Sequence, residues 1–194
     1  MLNAIPFLLD TNSYYLLFQY PRHPSYQGLI AKLKSADVVS FYISELTSLE
    51  IHSVVGKYRR GSPMQSQFCD RRIIEGGKYV QCHNTWICPV RRKMKSKVYR
   101  DILKLISDIE AQKGDIQATV IKLDCHSIEI GRKLLKRYAD RFAFGSHDAL
   151  IAGSLITANQ RDGLNLTLMT SDKSLKAVLR EESISCHDPV IAIP

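Results

Sequence analysis

The chain has 194 residues, 45% apolar and 24% charged, a composition that supports a sizeable core and excludes disordered, collagen-like and small disulfide-stapled classes. Lysine and arginine outnumber aspartate and glutamate by 27 to 19, giving a net charge of +8 and a pI near 9.3, which favours polyanionic partners over anionic small molecules. The excess is local: residues 57–104 hold 13 basic and 3 acidic side chains, and the other 146 residues come to −2.

Residues 5–9 form a short apolar run ending in Asp10, and residues 38–43 are β-branched and aromatic, so both read as buried strands with helix-compatible sequence between them. Ser44 suits the cap of a helix over 45–58, which the 59–67 stretch with Gly61 and Pro63 breaks. In the unusual segment 61–92, Arg71-Arg72-Ile73-Ile74-Glu75 and Lys78-Tyr79-Val80-Gln81-Cys82 flank Gly76-Gly77, the turn chemistry of a β-hairpin. A helix over 97–112 follows, ended by Gly114. Then come a strand at 119–123, helices at 128–138 and 146–160, a strand at 166–170, a helix at 175–180 and a last strand at 190–193. This alternation predicts a single α/β domain over 1–194 with a mainly parallel sheet and an inserted basic β-hairpin arm at about 61–97.

Open α/β sheets collect ligands at the carboxyl ends of their strands. Asp10 follows the first strand, and Asp172 follows the 166–170 strand after Thr170-Ser171. Two more acids lie on helices at positions that turn them from open solvent. Glu50 shares a stripe with Leu46, Leu49 and Ser53, and Asp148 shares one with Ile151, Ala152 and Leu155. Glu45 lies about 140° around the helix from Glu50, so the stripe selects Glu50. Each acid also has a structural use: Asp172 as an N-cap, Asp148 for the helix dipole, Asp10 as a turn residue, Glu50 as an ion-pair partner.

Two carboxylates about 4 Å apart repel by roughly 4 kcal/mol at an effective dielectric near 20, so four converging acids call for a cation. An all-oxygen set without nearby His or Cys suits one or two Mg²⁺ or Mn²⁺ ions better than Zn²⁺. The chemistry expected is phosphate-ester hydrolysis by a metal-activated water. Thr170, Ser171 and Asn12 are placed to hydrogen-bond a carboxylate, water or phosphate.

The segments Phe7-Leu8-Leu9-Asp10-Thr11-Asn12, Ile43-Ser44-Glu45-Leu46-Thr47-Ser48-Leu49-Glu50, His147-Asp148-Ala149-Leu150-Ile151-Ala152 and Leu168-Met169-Thr170-Ser171-Asp172 resemble the PIN-domain ribonucleases, the family of the VapC toxins. They occur in the family's order. The resemblance implies a three-layer α/β/α sandwich with a parallel sheet. It also implies that Asp10, Glu50, Asp148 and Asp172 correspond to the acidic quartet that binds Mg²⁺ or Mn²⁺ for cleavage of single-stranded RNA, with Thr170 as the accessory hydroxyl and ends left as 3′-hydroxyl and 5′-phosphate. Toxins of this kind are neutralised by a small antitoxin and often dimerise, so an antitoxin and a homodimer are partners the resemblance brings with it. The likeness covers about residues 5–60 and 115–194, and the cationic segment between has no counterpart in the compact members.

Within that segment Arg91, Arg92, Lys93 and Lys95, with Arg71, Arg72, Tyr79 and Trp86, supply what a phosphate-tracking surface with stacking aromatics needs. Cys69, Cys82, His83 and Cys88 lack the paired spacing of zinc ribbons and knuckles, which argues against structural zinc. Five scattered cysteines suit a reducing compartment, so a cytoplasmic location is expected. The first nine residues carry no basic leader, and the longest uncharged apolar stretch, 149–160, is too short to span a bilayer, so no membrane association is expected. A receiver-like phosphoacceptor would need an acidic pair after the first strand, and a haloacid-dehalogenase-type phosphatase would need an acid where Asn12 stands. The alternative to a nuclease is a catalytically inactive PIN-like nucleic-acid-binding or scaffolding module that uses the basic arm, and an intact quartet argues against it.

Overall fold

The computed structural model describes residues 6–19, 22–35, 38–61, 65–68, 72–81, 85–88 and 93–189. The chain divides into two compact units, one formed by Met1–His52 with Ile102–Pro194 and the other by Ser53–Asp101.

The larger unit starts with β1 (Phe7–Leu9), α1 (Thr11–Tyr15), α2 (Tyr26–Leu33), β2 (Lys34–Ser35) and β3 (Val38–Ser44), from which α3 (Glu45–Arg60) departs. After the smaller unit, α4 (Ser96–Glu110) leads to β8 (Ile116–Ile121), α5 (Cys125–Tyr138), α6 (Ser146–Arg161), β9 (Thr167–Met169), α7 (Lys173–Glu181) and β10 (Cys186–His187). Five strands run parallel in the order β10-β9-β1-β3-β8, and the two-residue β2 pairs antiparallel with β3. The expected α/β class with a mainly parallel sheet is therefore observed, helices covering both faces. Leu8 and Leu168 join residues of α5, α6 and α7 in one core cluster. On the other face Tyr14 packs against Phe41, ring centroids 5.7 Å apart. Central strands buried on both faces must be apolar throughout, which is why Phe7-Leu8-Leu9 reads as an unbroken run rather than an alternation.

Helix α6 is held hard against α5. A Cβ at Gly153 would sit 2.2 Å from the Ser127 carbonyl oxygen, and one at Gly131 would sit 2.8 Å from that of Ala149. The two glycines let the backbones approach closer than any larger residue allows, and this fixes the start of α6, where Asp148 lies.

The smaller unit contains two antiparallel pairs. β5 (Arg72–Glu75) and β6 (Lys78–Gln81) form the expected hairpin, and Gly76 and Gly77 take φ of +59° and +79°, as a two-residue turn matched to strand twist requires. β4 (Gln65–Phe68) and β7 (Thr85–Cys88) form a second ladder. No sequence signal announced it, because Gln65-Ser66-Gln67 carries no apolar alternation. At the base of this unit Met94 N donates to Tyr58 O at 3.1 Å, and the Arg59 guanidinium donates to Met94 O at 3.0 Å and Ser96 Oγ at 2.9 Å.

Element ends differ from expectation where caps decide them. α5 begins at Cys125 because Asp124 Oδ1 accepts from Ser127 N at 2.8 Å. β8 starts at Ile116 because its register against β3 opens at Val39–Ile116. The strand expected at 190–193 lies outside the described residues. The last described strand is Cys186–His187. Among the described residues no helix is long and apolar enough to cross a membrane.

Candidate active site

Strand register builds the site. Leu9 pairs with Met169 on one side and Ile43 on the other, so the residues leaving these strands, Asp10, Thr170 and Ser44, emerge along one edge of the sheet. Asp10 extends the ladder, its N–H donating to Met169 O at 3.1 Å. It then caps α1, with Oδ1 accepting from Ser13 N at 2.7 Å. Its other oxygen, Oδ2, accepts from the Thr170 hydroxyl at 2.5 Å. The Thr170 oxygen in turn accepts from Asp172 N at 3.0 Å. One fully buried hydroxyl thus ties two acids from opposite ends of the chain.

Glu50 reaches the same edge from α3. Its Oε2 accepts from the Thr11 hydroxyl at 2.5 Å, and its Oε1 lies 3.5 Å from His147 Nδ1. His147 directly precedes Asp148, whose Oδ2 accepts from Gly145 N at 3.2 Å at the start of α6. Asp172 caps α7, with Oδ1 accepting from Leu175 N at 2.7 Å. Three of the four acids spend one oxygen on a helix start. The other oxygens of Asp148 and Asp172 have no hydrogen-bond partner among the described residues.

The acids sense one another. Burial strips water from Asp10, which is 4% exposed, and raises its pKa; the charge of Asp172 adds to this, against hydrogen bonds from Thr170 and Ser13. Burial also raises the pKa of Asp148, with the charges of Asp172 and Glu50 adding to it and the Gly145 N–H and His147 opposing. Among the described residues no lysine or arginine pairs with Asp10, Glu50, Asp148 or Asp172.

Other expected site residues fall elsewhere. The Ser171 hydroxyl donates to Asp188 Oδ1 at 2.9 Å, and Asp188 is ion-paired with Lys176, so Ser171 fastens the segment after β10. Asn12 is exposed on α1. Glu45 accepts from Leu123 N at 3.0 Å, apart from the other acids. The stripe that selected Glu50 is not a buried one: Leu49 is 70% exposed, and α3 buries Thr47, Ile51 and Val55 instead. Lys93 and Lys95 are exposed ahead of α4, and Arg72 stands in β5. Arg71, Arg91, Arg92, Cys69, Cys82 and His83 lie outside the described residues. Sequence reading missed Thr11 and His147, each the immediate neighbour of an acid it did select.

Among the described residues no three His, Cys, Asp or Glu side chains stand close enough to hold a metal ion by themselves, so an ion here would keep much of its shell as water. Mg²⁺ and Mn²⁺ keep several waters and need only one or two direct carboxylates. The carboxylates of Asp10, Asp148 and Asp172, without a lysine or arginine counter-charge among the described residues, fit such a hard, hydrated ion, but the set is not all-oxygen as expected, since the His147 imidazole lies 3.5 Å from Glu50.

No protein-family model matches the chain, and no curated protein matches it in sequence. Solved structures do match. FitAcB from Neisseria gonorrhoeae aligns with a TM-score of 0.55 at 16% identity over 94% of this chain and 97% of that one. FitAB bound to an IR36 DNA fragment gives 0.53 at 17% identity over 97% and 98%, and DNA-bound VapBC from Salmonella typhimurium gives 0.50 at 16% over 95% and 98%. These neighbours are toxin-antitoxin complexes whose toxin component is a PIN-domain protein. At such identities the likeness is one of fold, and the fold of this chain is the α/β fold of that class.

Proposed function

We propose that this chain is a metal-dependent endoribonuclease of the PIN-domain toxin type, cleaving single-stranded RNA. The observation that carries the reading is the coupling of Asp10, Glu50, Asp148 and Asp172 at one sheet edge without a lysine or arginine counter-charge among the described residues. Natural proteins are only marginally stable, so acids gathered at a cost to folding without lysine or arginine beside them point to a bound cation. Asp10 and Asp172, linked through Thr170, and Asp148 and Glu50 beside them, would hold Mg²⁺ or Mn²⁺. Such an ion supplies Lewis-acid stabilisation of phosphoryl charge and acidifies water. Thr170 orients Asp10 and fixes the backbone of Asp172. The burial of Asp10 keeps competing water from its carboxylate. We further read the chain as one PIN-like domain with an inserted arm at about 61–97, working in the cytoplasm, with a small antitoxin and a second copy of itself as protein partners.

Cleavage of a labelled single-stranded RNA should require added Mn²⁺ or Mg²⁺ and stop with chelator. Undiminished cleavage in chelator would remove the metal mechanism. Binding of the strand is assigned to the arm's cations. Alanine at Arg91, Arg92, Lys93 and Lys95 together should weaken RNA binding and lower the slope of log affinity against log salt by about 3, since single-stranded nucleic acid releases roughly 0.7 counterion per phosphate neutralised. An unchanged affinity and slope, measured by fluorescence anisotropy, would assign the arm to another partner.

A further inference from the structure

The chemistry proposed above gives Thr11 no task. It is the first residue of α1 and is 7% exposed. Its hydroxyl donates to Glu50 across 39 positions of sequence at 2.5 Å, within the range of a charge-assisted O–H···O⁻ bond. Glu50 needs such a partner. Its side chain is long and 31% exposed, and its only other polar contact among the described residues is His147 at 3.5 Å. An unrestrained glutamate would spread over several rotamers, at an entropic cost to any ligand that must gather it. Asp10, one peptide unit away, is fixed by its cap to Ser13 and by Thr170. The first turn of α1 therefore holds two acids at once, one by its own carboxylate and the other through the neighbouring hydroxyl.

We propose that Thr11 is the positioning residue that presents Glu50 to a divalent cation in register with Asp10. The proposal rests on the metal-dependent reading of the site and adds to it a residue that touches no substrate. The test uses the intact chain and Mn²⁺ alone, with binding followed by the electron paramagnetic resonance signal of the free ion and folding checked by thermal melts. Thr11→Val should weaken Mn²⁺ binding about tenfold, while Thr11→Ser, which keeps the hydroxyl, should stay within about twofold of wild type. Thr11→Ala, which adds no bulk, should repeat the loss should valine disturb the fold. In a Glu50→Gln background the loss at Thr11 should vanish. Wild-type affinity in Thr11→Val and Thr11→Ala, or an equal loss with and without the Glu50 carboxylate, would overturn the role of Thr11 and leave the nuclease reading standing. Failure of the wild-type protein to bind Mn²⁺ would overturn both.

Discussion

Replacing Asp10 with Asn should abolish Mn²⁺-dependent cleavage of single-stranded RNA, by about a thousandfold or more, equivalent to ~4 kcal/mol of barrier, while the fold and RNA binding persist. The side chain is isosteric, so the cap on Ser13 N can survive through the amide oxygen, while the buried charge and the oxygen that accepts from Thr170 are lost. Stability should move the other way. Burial keeps protons on Asp10 and Asp148 to higher pH than in the unfolded chain. Between the ordinary aspartate pKa and these raised native values the folded state binds more protons than the unfolded state, so the metal-free protein loses stability as pH rises through that window. Asp10→Asn removes one share of the penalty. Its melting temperature in chelator should therefore exceed that of wild type by a margin that grows with pH across the window, and added Mn²⁺ should close the gap by raising the wild type. Full activity in the variant would sink the assignment of Asp10.

Gly153→Ala carries the second large expected effect. Its new Cβ would stand 2.2 Å from a main-chain oxygen of α5, and neither helix can relieve this by turning a side chain. Overpacking of this kind costs about 3 kcal/mol, a fall in melting temperature of roughly 6–12 °C for a domain of this size. Activity should fall further than the unfolded fraction explains, because any outward shift of α6 moves Asp148. A calorimetric scan alongside the cleavage assay separates the two effects. A melting temperature unchanged from wild type would mean that α5 and α6 are less tightly apposed than described.

Much of this was legible in the sequence, for identifiable reasons. A continuous apolar run ending in an acid marked β1, because parallel strands buried on both faces leave no room for polar alternation. The Gly76-Gly77 turn was legible because few residues tolerate positive φ at two consecutive positions. The start of α5 was not, because Asp124 acts through a side-chain bond to Ser127 that periodicity does not register. Glu50 was selected by a stripe that proved to contain an exposed leucine; what singles it out is Thr11, a contact created only when α1 and α3 meet. Ser171 sat in the right motif, yet its hydroxyl goes to Asp188, which no local pattern could reveal.

The hydroxyls around these acids have a further consequence. Thr170 gives its proton to Asp10, Thr11 to Glu50 and Ser171 to Asp188, so none of the three hydroxyl hydrogens is free for an arriving molecule. A phosphodiester reaching the acids would meet carboxylate oxygen and find no hydroxyl donor in Thr11 or Thr170. Anion and cation occupancy should therefore rise together, each making room for the other, and RNA seated without its counter-ion would be held by the surroundings rather than by the acids themselves.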